Sequence, residues 1–124
     1  MLDGVAGIHT LCADLEGASW PYGEEQFDGI VVVNYLHRPL IGALLDALRP
    51  GGVLIYETFA LGNEKLGRPS NPEFLLRPGE LLELVAGRLN VLAFEQGRVE
   101  RPSPAVIQRI CAVSGGIDAF LLTN

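Results

Sequence analysis

The fold is decided by the stretch from Phe27 to Phe59, FDGIVVVNYLHRPLIGALLDALRPGGVLIYETF. The unbroken β-branched run at 30–33 is typical of a strand buried on both faces of a parallel sheet. From Leu40 to Leu48 the apolar residues change to helical spacing. The residues Arg49-Pro50-Gly51-Gly52 predict the end of that helix, since proline cannot continue it and glycine tolerates positive φ. A second buried strand follows at Val53–Tyr56, so the stretch is a strand–helix–strand unit with an expected right-handed crossover.

The flanking sequence supplies further elements. Ile8–Ala13 is consistent with a strand that ends just before an acidic cluster. Ala60–Arg77 is a long Gly- and Pro-containing segment without periodicity, which we expect to be a mobile functional loop. Pro78 is suited to open a helix whose apolar face extends to Leu89. Two strands, Asn90–Glu95 and Ala105–Val113, are then expected to form an antiparallel pair with a turn at Gly97.

Composition limits the class of protein. The chain has 124 residues, of which 48% are hydrophobic and 19% charged, and this favours one globular domain over residues 1–124. A formal net charge of −6 argues against nucleic acid or an anionic membrane as the main partner. Cys12 and Cys111 lack metal-ligand spacing, so we expect reduced thiols and no metal site. The sequence shows neither a signal peptide nor a membrane-spanning run, and a cytoplasmic location is therefore expected.

The order of these motifs resembles a known family. CADLEG, FDGIVVVNYL and LRPGGVLIYETF follow one another as in the C-terminal part of class I S-adenosylmethionine-dependent methyltransferases. The segment ETFALGNEKLGRPSNPEFLLRPGELLEL resembles a bacterial subgroup near the tellurite-resistance-type methyltransferases. The resemblance implies an α/β fold with a Rossmann-like sheet that is mostly parallel and has an antiparallel edge. It also implies S-adenosyl-L-methionine as the cofactor.

One feature of the family is missing from the sequence. No G-x-G-x-G turn occurs, and no strand precedes Ile8 to carry the acidic residue that holds the cofactor ribose. The resemblance therefore implies an N-terminally truncated, partial domain that contains the third to seventh strands of the family order 3-2-1-4-5-7-6. We expect this chain by itself to bind the cofactor weakly or not at all, and to be inactive alone.

The candidate cofactor-binding residues follow two of the predicted strands. By resemblance, Asp14 accepts a hydrogen bond from the adenine amino group, and the Leu15 backbone meets the ring nitrogens. Asn34 and Tyr35 are placed where the family's fourth strand faces the methyl group. Asp14 is equally well explained as a solvated turn residue, and Tyr35 as an aromatic side chain packed under the long loop.

The candidate catalytic residues are Tyr35, His37 and Glu57, all at the carboxyl ends of strands, where open α/β sheets bind ligands. Tyr35 is suited to hydrogen-bond a nucleophile. His37 is a potential general base because its pKa lies near neutrality, although a solvated turn histidine explains it as well. Glu57 is suited to act as a base or to bind a substrate amine, or alternatively to pair with Arg38.

The sequence thus predicts a methyltransferase domain that acts on an unknown, possibly small-molecule, substrate. One alternative is a non-catalytic oligomeric binding module that keeps the fold but not the cofactor. Another doubly wound protein is disfavoured, since neither a phosphate loop nor an acidic phosphoacceptor cluster is recognisable. We also expect a homodimer, because a domain without two of its strands exposes an edge or an apolar face.

Overall fold

The computed structural model describes residues 10–13, 24 and 26–115. Its strands are β1 (Thr10–Ala13), β2 (Phe27–Val33), β3 (Leu48–Phe59), β4 (Asn90–Val99) and β5 (Ala105–Val113), and its helices are α1 (Ile41–Asp46) and α2 (Glu80–Val85). Single 3-10 turns occur at Arg38–Leu40, Asn63–Lys65 and Pro72–Phe74. Over these described residues, no helix is long and apolar enough to cross a membrane.

The strands form one mixed sheet in the order β1-β2-β3-β5-β4. β1 pairs with β2, and β2 with β3, in parallel, whereas β5 is antiparallel to both β3 and β4. This is the order expected for the third to seventh strands of the methyltransferase sheet, so the predicted fold class is confirmed. β1 lies directly against β2, with Thr10 opposite Gly29 and Ala13 opposite Val32. The β1 pairing therefore covers the edge of β2 that the sequence left open.

The hydrophobic core lies on one face of the sheet. Ile30 and Val32 of β2 stand opposite Leu54 and Tyr56 of β3, so the four side chains share that face. Both helices contribute to the same buried cluster, whose members include Ile30, Val32, Ile41, Leu44, Leu45, Leu54, Tyr56, Leu81, Val85, Ile110 and Ala112. Burying a large aliphatic side chain contributes about 1.5–3 kcal/mol, which makes this cluster the main stabilising feature of the domain.

The opposite face of the sheet is more open than the sequence predicts. Val33 and Ile55 remain 48% and 46% exposed. The apolar run at 30–33 predicts a strand covered on both sides, but α1 and α2 both pack on the first face. The expectation of two equally covered faces is therefore wrong for the described part of the chain.

The Arg49-Pro50-Gly51-Gly52 segment ends the helical region but is not a simple turn. β3 already begins at Leu48, which pairs with Phe27, and the next aligned pair is Gly29 with Val53. The four residues thus bulge out of the ladder. A Cβ atom on Gly52 would lie 2.8 Å from the Arg49 carbonyl oxygen and 3.2 Å from the Asp28 carbonyl oxygen, so this close approach requires glycine.

Two other predicted boundaries differ from the structure. α2 starts at Glu80 after a left-handed Gly79, not at Pro78, and it ends at Val85. Gly97 lies inside β4, which continues to Val99, instead of forming a turn. Periodicity did not show this extension because pairing with β5 continues through Gly97 opposite Ile107. Tertiary pairing overrides a weak local turn signal at this position.

Candidate functional site

A cavity of about 550 Å³ lies where β2 and β3 end. Four consecutive residues after β2, Asn34 to His37, form one wall, and Thr58 and Phe59 at the end of β3 form another. The long loop closes the cavity with Pro69 and Phe74. Because β2 and β3 are parallel, their carboxyl ends meet at the same edge of the sheet, and this is where open α/β sheets bind ligands.

Asn34 turns the chain away from the sheet at the cavity. Its φ of 57° is left-handed, a conformation that asparagine tolerates better than most residues. Its backbone N–H donates a 2.9 Å hydrogen bond to the Glu57 carbonyl oxygen, so pairing with β3 continues one residue beyond Val33. The left-handed residue directs the following segment, Tyr35 to His37, along the cavity wall.

Tyr35 brings a polar atom with no protein partner into the cavity wall. In the described part of the chain its hydroxyl oxygen is buried and makes no hydrogen bond. Burial raises the pKa of the Tyr35 phenol, so the hydroxyl stays protonated at neutral pH and remains a donor. The Tyr35 carbonyl oxygen accepts a 2.6 Å hydrogen bond from the Tyr56 hydroxyl, which ties this segment to the core. The Tyr35 hydroxyl is therefore positioned for a ligand.

His37 is partly buried and lines the same cavity as Asn34 and Tyr35. It precedes the 3-10 turn at Arg38–Leu40, and its carbonyl oxygen accepts a 3.0 Å hydrogen bond from the Leu40 N–H. The structure thus groups three of the predicted site residues around one space. Asp14 and Leu15, the predicted adenine contacts, lie outside the described residues and directly follow β1.

Glu57 is separated from that group. Its side chain lines a smaller cavity of about 160 Å³ together with Glu95 and Arg109, while Tyr35 and His37 line the larger one. The Glu57 carboxylate accepts a 3.4 Å hydrogen bond from Arg109 Nη1, and Arg109 Nε lies 2.8 Å from Glu95 Oε1. The alternative pairing of Glu57 with Arg38 is wrong, because Arg38 binds another carboxylate.

That carboxylate belongs to Glu80, which sequence reasoning missed. Glu80 is fully buried, and its two oxygens accept hydrogen bonds from Arg38 Nε at 2.6 Å and Nη2 at 2.9 Å. Arg77 contributes a backbone N–H at 2.8 Å and a guanidinium nitrogen at 3.4 Å. The Arg38 hydrogen bonds lower the pKa of Glu80 to about 2 in spite of its burial. A signal was available, since Glu80 lies four residues before Leu84 and beside Leu81 on the apolar helix stripe.

The Arg38 guanidinium also fixes the long loop. Nη1 donates 2.9 Å to the Glu73 carbonyl oxygen, and Nη2 donates 3.0 Å to the Leu75 carbonyl oxygen. One side chain that follows β2 thereby holds both neighbours of Phe74. The loop wall of the cavity is anchored to the strand wall by a charge-assisted, multidentate contact.

Asn63 provides a second anchor inside the loop. It is 2% exposed; its Oδ1 accepts a 3.1 Å hydrogen bond from the Val106 N–H, and its Nδ2 donates 3.1 Å to the Pro69 carbonyl oxygen. The chain also pairs along the end of β3, where the Leu76 N–H donates to the Phe59 carbonyl oxygen at 3.0 Å. The structure therefore presents this segment as a supported wall and not as a free lid.

We expect hydrogen exchange to divide the loop. The amides of Leu61 and Leu76 donate to the carbonyl oxygens of Leu76 and Phe59, respectively, so they should exchange slowly. The exposed residues Arg68, Ser70 and Asn71 should exchange much faster. Amide exchange followed by NMR at neutral pH measures both groups in one sample, with Ile30–Val33 as the protected reference. Uniformly fast exchange from 60 to 77 would contradict the anchored loop.

Metal ligands are not gathered at this edge. In residues 10–13, 24 and 26–115, no group of three or more His, Cys, Asp or Glu side chains is placed to hold a metal ion. Cys111 is a free, partly buried thiol beside the smaller cavity.

Comparisons with known proteins support the fold. Neither protein-family models nor curated protein sequences give a match. Among solved structures, TehB from Haemophilus influenzae superposes with a TM-score of 0.58 at 17% identity, covering 73% of this chain and 36% of its own. A SAM-dependent methyltransferase from Methanosarcina mazei gives 0.57 at 18% identity, with coverage of 78% and 63%.

The N-methyltransferase NodS from Bradyrhizobium japonicum gives a TM-score of 0.56 at 16% identity, and the match covers 83% of this chain and 56% of NodS. The chain thus spans between about one third and two thirds of the length of these three structures. Identities at this level establish architecture only. Together with the strand order, they show that this chain has the fold of the class I S-adenosylmethionine-dependent methyltransferases.

Proposed function

We propose that this chain is part of an enzyme that transfers a methyl group from S-adenosyl-L-methionine to a small acceptor bound in the 550 Å³ cavity. The observation that carries the proposal is the position of this cavity in a methyltransferase fold. It opens at the carboxyl ends of β2 and β3, and Asn34, Tyr35 and His37 line it. A solved NodS structure holds S-adenosyl-L-homocysteine, which supports the same cofactor class here.

The strand order suggests where the two reactants bind. β2 lies between β1 and β3. The predicted adenine contacts, Asp14 and Leu15, follow β1, whereas the cavity lies on the β3 side of β2. Asn34 and Tyr35 then separate a cofactor on the β1 side from an acceptor on the β3 side. The unpartnered Tyr35 hydroxyl fits a bound polar group, because a buried hydroxyl without a partner is costly.

The residues around the cavity have assigned roles in this proposal. The cofactor supplies an electrophilic methyl group that passes directly to the acceptor. Tyr35 donates a hydrogen bond that orients the acceptor or the cofactor, and the apolar wall of Leu36, Phe59 and Phe74 limits access of water. His37 accepts the proton that the acceptor oxygen or nitrogen loses. Glu57 lines the other cavity and retains only a proposed indirect role.

Titration of the ¹⁵N-labelled chain with S-adenosyl-L-homocysteine tests the proposal. We expect weak binding, with a dissociation constant above the low micromolar range, since the sequence lacks the G-x-G-x-G backbone cradle and the ribose carboxylate. Each such charge-assisted bond contributes on the order of 1.5–3 kcal/mol. Amide shifts should concentrate at residues 34–37 and 58–59.

The same titration with ATP provides the control, because a nucleotide-binding protein of similar fold would respond to ATP as well. Shifts with the homocysteine compound alone support a methyltransferase site. If neither compound moves resonances at millimolar concentration, the non-catalytic binding module becomes the better description.

Self-association is a second part of this proposal. Val33 and Ile55 are about half exposed on the open face of the sheet. Beside them, Arg109 bridges Glu57 and Glu95, so acidic and basic groups alternate across the same face. A two-fold pairing of two such faces would bury the apolar residues and bring opposite charges together. The occupant proposed for this face is therefore a second copy of the chain.

A further inference from the structure

The lining of the larger cavity is uncharged. Its eight residues include three aromatic side chains, Tyr35, Phe59 and Phe74, but no aspartate, glutamate, lysine or arginine. The polar groups are Asn34, Tyr35, His37 and Thr58. An ionised ligand would therefore lose hydration without gaining a counter-charge from these residues.

The nearest strongly charged groups are engaged elsewhere. Arg38 directly follows His37, but its guanidinium is occupied by Glu80 and by the carbonyl oxygens of Glu73 and Leu75. Glu57 directly precedes Thr58, but its carboxylate lies at the other cavity and contacts Arg109. Alternation along β3 explains this, since adjacent residues point to opposite faces of the sheet.

Phe74 gives the cavity an aromatic rim. It is 49% exposed, which is high for phenylalanine. The segment is nevertheless fixed, because the carbonyl oxygens of Glu73 and Leu75 both accept hydrogen bonds from Arg38. The Phe74 N–H also donates 2.9 Å to the Asn71 carbonyl oxygen. An exposed aromatic ring on a fixed backbone is suited to contact a flat apolar ligand.

We propose that this cavity binds a planar, uncharged ring compound with one polar atom that hydrogen-bonds the Tyr35 hydroxyl. The ring contacts Phe59 and Phe74, and the polar atom satisfies the hydroxyl that lacks a protein partner. This inference rests on the proposed function in so far as such a compound is the methyl acceptor. The binding of the ring compound itself requires no cofactor.

Three naphthalene derivatives of similar shape test the class of ligand. The neutral probe is 2-naphthol, the anion is 2-naphthoate, and the cation is 2-naphthylmethylammonium, each titrated into the ¹⁵N-labelled chain at pH 7. We expect 2-naphthol to bind at least about tenfold more tightly than either ion, because the lining offers no counter-charge. Its shifts should fall at residues 34–37, 58–59 and 74. Equal or tighter binding of an ion overturns the proposal.

Two variants test the contacts. Phe74→Ala should weaken 2-naphthol binding about tenfold through loss of the aromatic contact. Tyr35→Phe should weaken it roughly fivefold, because it removes one hydrogen bond. Phe74 is exposed, so its variant should fold normally. Leu82→Ala, an exposed change on α2, is the matched control and should leave the affinity unchanged. An unchanged affinity in Phe74→Ala means that the ring binds elsewhere and overturns the proposal.

The cofactor and ring titrations fail independently. Shifts with S-adenosyl-L-homocysteine but none with 2-naphthol would overturn the ligand class and leave the methyltransferase proposal standing. Specific naphthol binding without a cofactor response would support the ring site and contradict the proposed activity.

Discussion

Replacing Glu80 by glutamine is expected to lower the free energy of unfolding by about 3 kcal/mol. The carboxylate is fully buried and binds Arg38 through both oxygens. Glutamine keeps the volume but loses the charge, so the guanidinium keeps its desolvation cost without its counter-ion. Loss of a buried ion-pair partner commonly costs about 3–5 kcal/mol, and the lower end applies because the Arg38 side chain is 36% exposed.

Urea unfolding at pH 7, followed by circular dichroism, measures this change. Glu83→Gln is the matched control on the same helix, because Glu83 is 60% exposed and lies 3.7 Å from Arg77. It should alter the unfolding free energy by less than about 0.5 kcal/mol. Equal effects of the two variants would mean that the Arg38–Glu80 contact contributes little to stability.

The Glu80 contact also predicts a dependence of stability on pH. The folded-state pKa of about 2 lies below the ordinary value of 4.5. The stabilisation is therefore complete above about pH 5 and is lost as the pH falls through the interval from about 4.5 to 2. Glu80→Gln should lack this part of the acid dependence, so the wild-type and variant stabilities should converge towards pH 2. Parallel pH profiles for the two proteins would contradict the assignment.

The second large effect concerns the open face of the sheet. Ile55→Lys is expected to convert a dimer into a monomer, because it places an ammonium group in the proposed apolar interface. Burying an unpaired charge should weaken association by at least roughly a hundredfold. Ile55 is 46% exposed within one chain, so the lysine can remain in solvent and the monomer should stay folded.

Light scattering at tens of micromolar separates the two states. The wild type should have twice the 13.4 kDa mass of one chain, and Ile55→Lys should have the mass of a single chain. Leu82→Lys is the control, since Leu82 is 38% exposed on helix α2 and should leave the dimer intact. A wild-type monomer would overturn the association proposal. It would show that β1, which already pairs with β2, is sufficient to protect the sheet edge.

The site was predictable in part. The positions of Asn34, Tyr35 and His37 after a buried strand indicated that they lie at the carboxyl edge of the sheet, and the structure places them around one cavity. Glu57 was grouped with them because it also ends a strand, but the alternation of β3 directs its side chain to the other cavity. The functional roles of these residues remain predictions.

The sequence by itself determined the architecture. The apolar runs at 30–33 and 53–56, the helical spacing after Leu40 and the two C-terminal strands specify an α/β domain, since each pattern matches one backbone period. The order of those elements then predicted the strand order β1-β2-β3-β5-β4, which the structure contains.

Tertiary structure alone decided the wall of the cavity. The segment 60–77 has no periodicity, and nothing local indicates that Arg38 holds it through Glu80, Glu73 and Leu75. Arg38 and Glu80 are 42 residues apart in sequence. Local patterns report which residues favour a helix, a strand or a turn, whereas a multidentate ion pair depends on where two distant segments meet. The contact that shapes the proposed binding site therefore became visible only when β2, the loop and α2 were packed together.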